Sequence, residues 1–246
     1  MKKDIVKPKT AQILCEILEV LLVSDVHIGS VVCRAAELLG VLEEYRYKKL
    51  ILLGDIFDDL NFEGLDEDQW KLMSYIQTLS EQGVEIIWVR GNHDHPLVVK
   101  MMSCLLGAKI EKKAHTWEIN GVRYLAIHGH QFDKFLINNR RLNDMVSYMY
   151  LMLQKMDRKQ GRLSGMVRRC FHWSWQRASE EIAQGSVEYA LKKGKDYVFS
   201  GHSHHGMEKT IDGIHYCNIG CWADIDIPCH FGTISKEGVV TLHERQ

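Results

Sequence analysis

The sequence predicts an α/β fold in which mixed β-sheets are flanked by helices. Three observations predict it. Five short apolar runs each end in a cluster of polar residues, helical periodicity fills the gaps between the first three, and the C-terminal part carries hairpin signals. Strands alternating with helices call for parallel pairing, and hairpins for antiparallel pairing.

The elements follow in chain order. Residues 19–23 (EVLLV) form the first run and precede SDVHIG. Val31, Ala35, Leu38, Leu39 and Leu42 then recur at helical spacing over residues 31–46. Residues 50–53 (LILL) precede GDIFDD, and Trp70, Met73, Ile76 and Leu79 mark a helix over 67–82. Residues 84–89 (VEIIWV) precede RGNHDHP, where Pro96 ends the loop or opens the next helix. Asn120-Gly121 is a hairpin pair ahead of residues 122–127 (VRYLAI), which run into HGHQFD. Residues 197–199 lead into SGHSHH. Asp212-Gly213 marks a second hairpin, and Lys-Glu-Gly between 231–234 and 239–242 a third.

Residues 134–195 break this alternation and look wholly helical. Leu142, Met145, Met149, Met152 and Met156 step by 3, 4, 3 and 4, which suits a helix packed on another helix. A second helix is expected from about 173 to 193, the two forming an αα-hairpin that stands off the sheet. The whole chain, 1–246, is expected to be one domain with 134–195 as an insert.

Composition narrows the function classes. A net charge of −1 gives no bulk attraction to nucleic acid. Seven cysteines without a CxxC make neither a disulfide framework nor a zinc ribbon, so reduced thiols and a cytoplasmic location are expected. The basic N-terminus is interrupted by Gln12, Glu16 and Glu19 and lacks the apolar core of a signal peptide. Residues 134–175 carry nine Lys/Arg against Asp144 and Asp157, a local +7 that leaves −8 on the rest. Such an insert suits capture of a polyanionic, amphiphilic substrate, peripheral contact with an anionic membrane, or no more than a solvated face.

The chemistry is carried by the polar clusters. Of thirteen histidines, eight stand in four of them: His27, His93, His95, His128, His130, His202, His204 and His205. Asp25, Asp55 and Asn92 complete a mixed nitrogen and oxygen donor set that suits Mn²⁺, Fe²⁺ or Zn²⁺. Asp55 is the candidate carboxylate to bridge two ions.

Asp25-Val-His27, Gly54-Asp55, Gly91-Asn92-His93-Asp94, His128 and Gly201-His202-Ser-His204 stand in the order DxH, GD, GNH[DE], H, GHxH. In this the chain resembles the calcineurin-like metallophosphoesterase superfamily over roughly residues 20 to 235. The resemblance implies a four-layer β-sandwich of mixed sheets flanked by helices, with the insert as a lid. It implies two divalent ions, manganese first and iron or zinc as alternatives. Asp25, His27, Asp55 and His204 would hold one, and Asp55, Asn92, His128 and His202 the other. A metal-bridging hydroxide would attack a phosphoester or pyrophosphate, His93 would protonate the leaving oxygen, and Asp94 would orient His93. Asn92, His130, Asp133, Arg140 and Arg141 are the expected substrate contacts, and Asp58 is expected to steady the site by hydrogen bonds.

HGHQFD, the long helical insert, GHSHH and Tyr216-Cys-Asn218-Ile-Gly220-Cys-Trp222 are similar to the UDP-2,3-diacylglucosamine pyrophosphatase-like branch. That implies a lipid-bearing UDP-sugar as substrate. Cys221 departs from the branch, which often carries Asn-x-Gly-Asp-Trp here, by standing in place of that Asp. The alternatives are a phosphodiesterase or nuclease acting on a nucleotide, and a scaffold that keeps the fold without catalysis.

Overall fold

Strands β1 (Leu18–Val23), β2 (Tyr47–Leu53) and β3 (Glu85–Val89) lie parallel and side by side in a computed structural model of the chain. The structure describes residues 16–58, 62–134, 162–224 and 227–245. β4 (Lys109–Glu111) extends this row in parallel, while β10 (Cys229–Ile234) and β11 (Val240–Arg245) add antiparallel partners on the other side. The order is β11-β10-β1-β2-β3-β4. A second sheet runs β5-β6-β7-β9-β8, from β5 (His115–Ile119), β6 (Val122–Ala126), β7 (Tyr197–Ser200), β8 (Met207–Ile211) and β9 (Ile214–Asn218). Its inner pairs β6–β7 and β7–β9 are parallel and its outer pairs antiparallel. Both sheets are therefore mixed, as expected.

Each apolar run is buried on both faces, which is why it is continuous and not alternating. Val20, Leu22, Ile51, Leu53, Ile87 and Val89 point from the first sheet into the gap, where they meet Tyr124, Ala126, Phe199 and Cys217 of the second. Their neighbours Leu21, Val23, Leu50 and Leu52 face outward onto α1 (Ala35–Glu44), α2 (Glu67–Glu81) and α3 (Pro96–Leu106). On the far side Leu125, Ile127, Val198 and Tyr216 pack under Ala183, Val187 and Ala190 of α4 (Arg162–Lys192). The result is helices, sheet, sheet, helix: the four layers the resemblance implied. Each fully buried Leu, Ile or Val contributes roughly 1.5–3 kcal/mol.

Several boundaries differ from expectation for identifiable reasons. Residues 31–34 are not helical, because the Arg34 amide donates to the Trp222 carbonyl at 2.8 Å and α1 starts only at Ala35. Pro96 opens α3 at its first position; the His95 ring caps it by accepting from the Leu97 amide at 3.3 Å. Three-residue β4 is too short to leave a period in the sequence. α4 begins well before residue 173. The 142–156 methionine stripe, Arg140 and Arg141 lie outside the described residues. Among the described residues no helix is long and apolar enough to cross a membrane.

Candidate metal centre

All five polar clusters leave the C-terminal ends of parallel strands: Asp25 and His27 after β1, Asp55 after β2, Asn92 and His93 after β3, His128 after β6, and His202 and His204 after β7. The loops are sewn to one another through the backbone. The Asp25 amide donates to Gly54 O and the His27 amide to Asp55 O, both at 3.0 Å; within the second sheet, the Gly201 amide donates to His128 O at 3.0 Å. Five of the site residues (Asp25, His27, Asp55, His202 and His204) sit at positive φ of 50–66°. That conformation is uncommon for residues with a side chain and marks sites where the surroundings override local preference. The other two such residues among those described, Asn120 and Asp212, precede Gly in hairpin turns.

Glycines make the close approach possible. A Cβ on Gly91 would strike the Asp55 carboxylate, and one on Gly201 would strike Ser24 Oγ and the Asp25 carboxylate. This is the physical reason that Gly precedes Asn92 and His202.

The structure brings the expected ligands into two clusters, Asp25–His27–His204 and Asp55–His128–His202, each with donor atoms within 4.8 Å of one another. Hydrogen bonds set the tautomers. His128 Nδ1–H donates to Leu53 O at 3.0 Å, so Nε2 is the nitrogen left for a proton or a cation. That Nε2 faces two oxygens, Asp55 Oδ2 at 3.1 Å and Asn92 Oδ1 at 3.2 Å. A lone pair among two oxygens is repulsive unless a proton or a cation stands between them. His27 Nδ1–H donates to Asp58 Oδ1 at 3.1 Å, which leaves Nε2 buried without a partner. Asp25 Oδ1 is buried and faces His204 Nε2 at 3.3 Å and His27 Nε2 at 4.0 Å, while its Oδ2 accepts from the His202 amide at 2.9 Å. A buried ring nitrogen with no hydrogen bond is rare, and His27 Nε2 points at the same carboxylate oxygen as His204. The residues fit divalent cations.

The electrostatics agree. Burial raises the Asp25 carboxyl, but His128 and His204 outweigh it and hold it at about 2. Burial acts on Asp55 in the same sense, and His128 overcomes it to hold the carboxyl well below its usual range. Burial lowers His128, yet Asp55 and Asp25 lift it to about 9. His93, near the rim, is held below its usual value, first by burial. His130 falls to about 4 through burial and the neighbouring His128 and His202, and its Nδ1 is buried without a partner.

One expectation is corrected. Asp94 does not orient His93. Its carboxylate accepts instead from the Asp55, Ile56, Phe57 and Gly91 amides and from Trp88 Nε1, at 2.8–3.5 Å. It shapes the backbone that carries Asp55. The group facing His93 is Asp58, whose Oδ1 lies 4.0 Å from His93 Nδ1 while bonding His27. Asp133 lies against His202 Nε2 at 3.1 Å. Two further residues went unassigned in the sequence. Asn218 Nδ2 donates to Gly201 O and Ser203 Oγ at 2.8 and 3.1 Å and holds the His202 loop; buried Ser24 donates to Leu53 O at 2.9 Å and to Asp25. Their only sequence signal is a polar residue at the end of an apolar strand.

Fold and site together define a metal-dependent phosphoesterase. Residues 18–206 match the family described as "Calcineurin-like phosphoesterase", and the chain belongs to that family. Among solved structures it is similar to a novel archaeal phosphodiesterase at 15% identity, covering 92% of this chain and 98% of that chain with a TM-score of 0.52. It is also similar to the phosphoesterase Yfce from E. coli (15% identity, 92% and 99% covered, TM-score 0.47) and to Vps29 complexed with Zn²⁺ from Entamoeba histolytica (13% identity, 92% and 97% covered, TM-score 0.42). No curated protein sequence matches the chain.

Proposed function

We propose that the enzyme hydrolyses phosphoester or phosphoanhydride bonds at a centre of two divalent cations. Asp25, His27, Asp55 and His204 would hold one cation, and Asp55, Asn92, His128 and His202 the other. The observation that carries this is the pair of donor clusters, in the first of which buried Asp25 Oδ1 faces His204 Nε2 at 3.3 Å and His27 Nε2 at 4.0 Å. When bound, the cations supply Lewis-acid polarisation of phosphoryl oxygens and acidify water.

The chain's own groups do the rest. Asp58 fixes the His27 ring and faces His93, so His93 Nε2 is the atom that hands a proton to the leaving oxygen. A phosphate beside His93 raises its affinity for that proton, against the effect of burial. His130, beside His128 and His202 with ring centroids 5.3 and 6.3 Å away, and the Asn92 amide line the approach to phosphorus.

A lipid-bearing UDP-sugar such as UDP-2,3-diacylglucosamine is the substrate reading. It is supported by the HGHQFD and Asn218-Ile-Gly-Cys-Trp222 motifs and by the basic, apolar character of residues 134–175, which also suits peripheral contact with an anionic membrane. Arg140 and Arg141 are assigned to substrate phosphate on the same basis. Manganese is the expected metal, in a cytoplasmic enzyme. The test is a panel of bis-p-nitrophenyl phosphate, single-stranded DNA and UDP-sugars with manganese, using wild type and His93→Ala. The reading expects UDP-sugar cleavage and a His93→Ala protein that keeps its metal but loses most turnover. Preference for DNA would replace the substrate reading, and normal turnover of His93→Ala would remove the role given to His93.

A further inference from the structure

Outside the metal centre, one cavity of about 760 Å³ opens at the seam of the β4–β5 link, β6 and the end of α4. None of its lining residues belongs to the donor clusters described above. Lys112, Lys113, Lys193 and Lys195 line it, over a floor that includes Leu125, with Tyr189 at its wall. Among the described residues none of the four lysines makes an ion pair. The one carboxylate in the lining, Glu111, faces His115 Nδ1 at 3.7 Å. Asp196, next to Lys195, is held by Arg123 at 2.8 Å. Lys193 instead lies 5.7 Å from the Tyr189 ring centroid, so its partner is an aromatic face and not an acid.

Like charges gathered without counter-charges repel one another and oppose the compact state. Several exposed lysines elsewhere in this fold are paired: Lys48 with Glu19, Lys71 with Glu67, Lys109 with Glu85, Lys236 with Glu16. What sets the four cavity lysines apart is that they line one cavity together. Their arrangement matches an anion carrying several charges on a small body, and the volume lies in the range of small-molecule sites. The apolar floor suits the body and the ammonium groups suit its phosphates.

We propose that this cavity is a second anion site that binds a small phosphorylated ligand of two or more negative charges, independently of the metals. Its position gives it a route to the centre. The Tyr189 ring packs 6.1 Å from that of Phe132, and the next residue, Asp133, bonds His202. Leu125 stands on β6, three residues before His128.

The test is calorimetric titration of the manganese-loaded full chain with methylenebisphosphonate, which resists hydrolysis. Three proteins are compared: wild type, Lys113→Glu/Lys193→Glu, and Asp55→Asn. Wild type should show two binding events. The charge-reversed variant should lose one, its affinity falling about tenfold or more, with turnover of bis-p-nitrophenyl phosphate unchanged. The retained event in Asp55→Asn should be the one that weakens as salt rises from about 50 to about 500 mM. Lys113→Gln/Lys193→Gln gives a milder variant should charge reversal impair folding. Wild-type titration of both lysine variants, or loss of all binding in Asp55→Asn, overturns the site. Unchanged metal content in Asp55→Asn would count against the two-cation reading alone.

Discussion

Replacing Asp94 by Asn separates a structural hub from a catalytic partner. In the structure Asp94 Oδ2 accepts from the Asp55 amide, Trp88 Nε1 and the Gly91 amide at 3.0, 3.0 and 2.8 Å. Oδ1 accepts from the Ile56 amide at 3.0 Å and the Phe57 amide at 3.5 Å. Asparagine must turn an NH₂ toward one of these sets. The less costly orientation leaves its oxygen on the three-donor side and sets NH₂ against the Ile56 and Phe57 amides. A buried donor without an acceptor costs about 1–3 kcal/mol. The long Phe57 bond counts for little, while donor now faces donor, so the loss is about 2–4 kcal/mol. For a chain of this size that lowers the melting temperature by roughly 5–15 °C. The loosened segment carries Asp55, so metal content should fall as well. Thermal melting, elemental analysis and kcat on bis-p-nitrophenyl phosphate check this together. A variant with wild-type melting and full metal but lost turnover would refute the reasoning and restore Asp94 as the partner of His93.

Three further outcomes are expected. Gly201→Ala drives a methyl group into Ser24 and Asp25; it should cost about 1–3 kcal/mol of stability and deplete metal, with elemental analysis as the check. Asp58→Ala releases His27 Nδ1 and the group facing His93, and should lower metal affinity or kcat on the order of 10–100-fold; unchanged values of both would count against its role. Metal affinity should rise with pH toward about 9, because His128 holds its proton up to that value and a cation must displace it, whereas Asp25, held at about 2, does not compete in this range. The sign follows for stability: His128, raised in the fold, stabilises the metal-free protein fully below its unfolded value near 6.5, and that contribution is lost as pH climbs through about 9. Affinities by competition with a chromogenic chelator at pH 6, 7, 8 and 9 test it, and a flat profile would contradict it.

The strands and the donor list were legible because both signals are local. An apolar run followed at once by Asp, Asn or His can be read without knowing the fold. What could not be read is long-range. The hydrogen bonds of Asp94 reach back to residues 55–57, and Asp58 meets His27 from thirty-one positions away. The boundary of α1 is set by a carbonyl on Trp222. Leu97, Met101 and Leu105 look like core at helical spacing, yet their side of α3 is exposed, since Val98, Val99, Met102 and Leu106 already fill the inner face.

The residues of the candidate metal centre come from both leaves of the sandwich, β1, β2 and β3 on one side and β6 and β7 on the other. A cation gripped there acts as a rivet through the layers. At a hundred times its dissociation constant it adds about 2.7 kcal/mol to the native state alone. Stripped by chelation, the molecule should breathe first at this rim, where amides after β1, β2 and β7 exchange faster, while the floor around Leu22, Ile51 and Tyr124 stays shut.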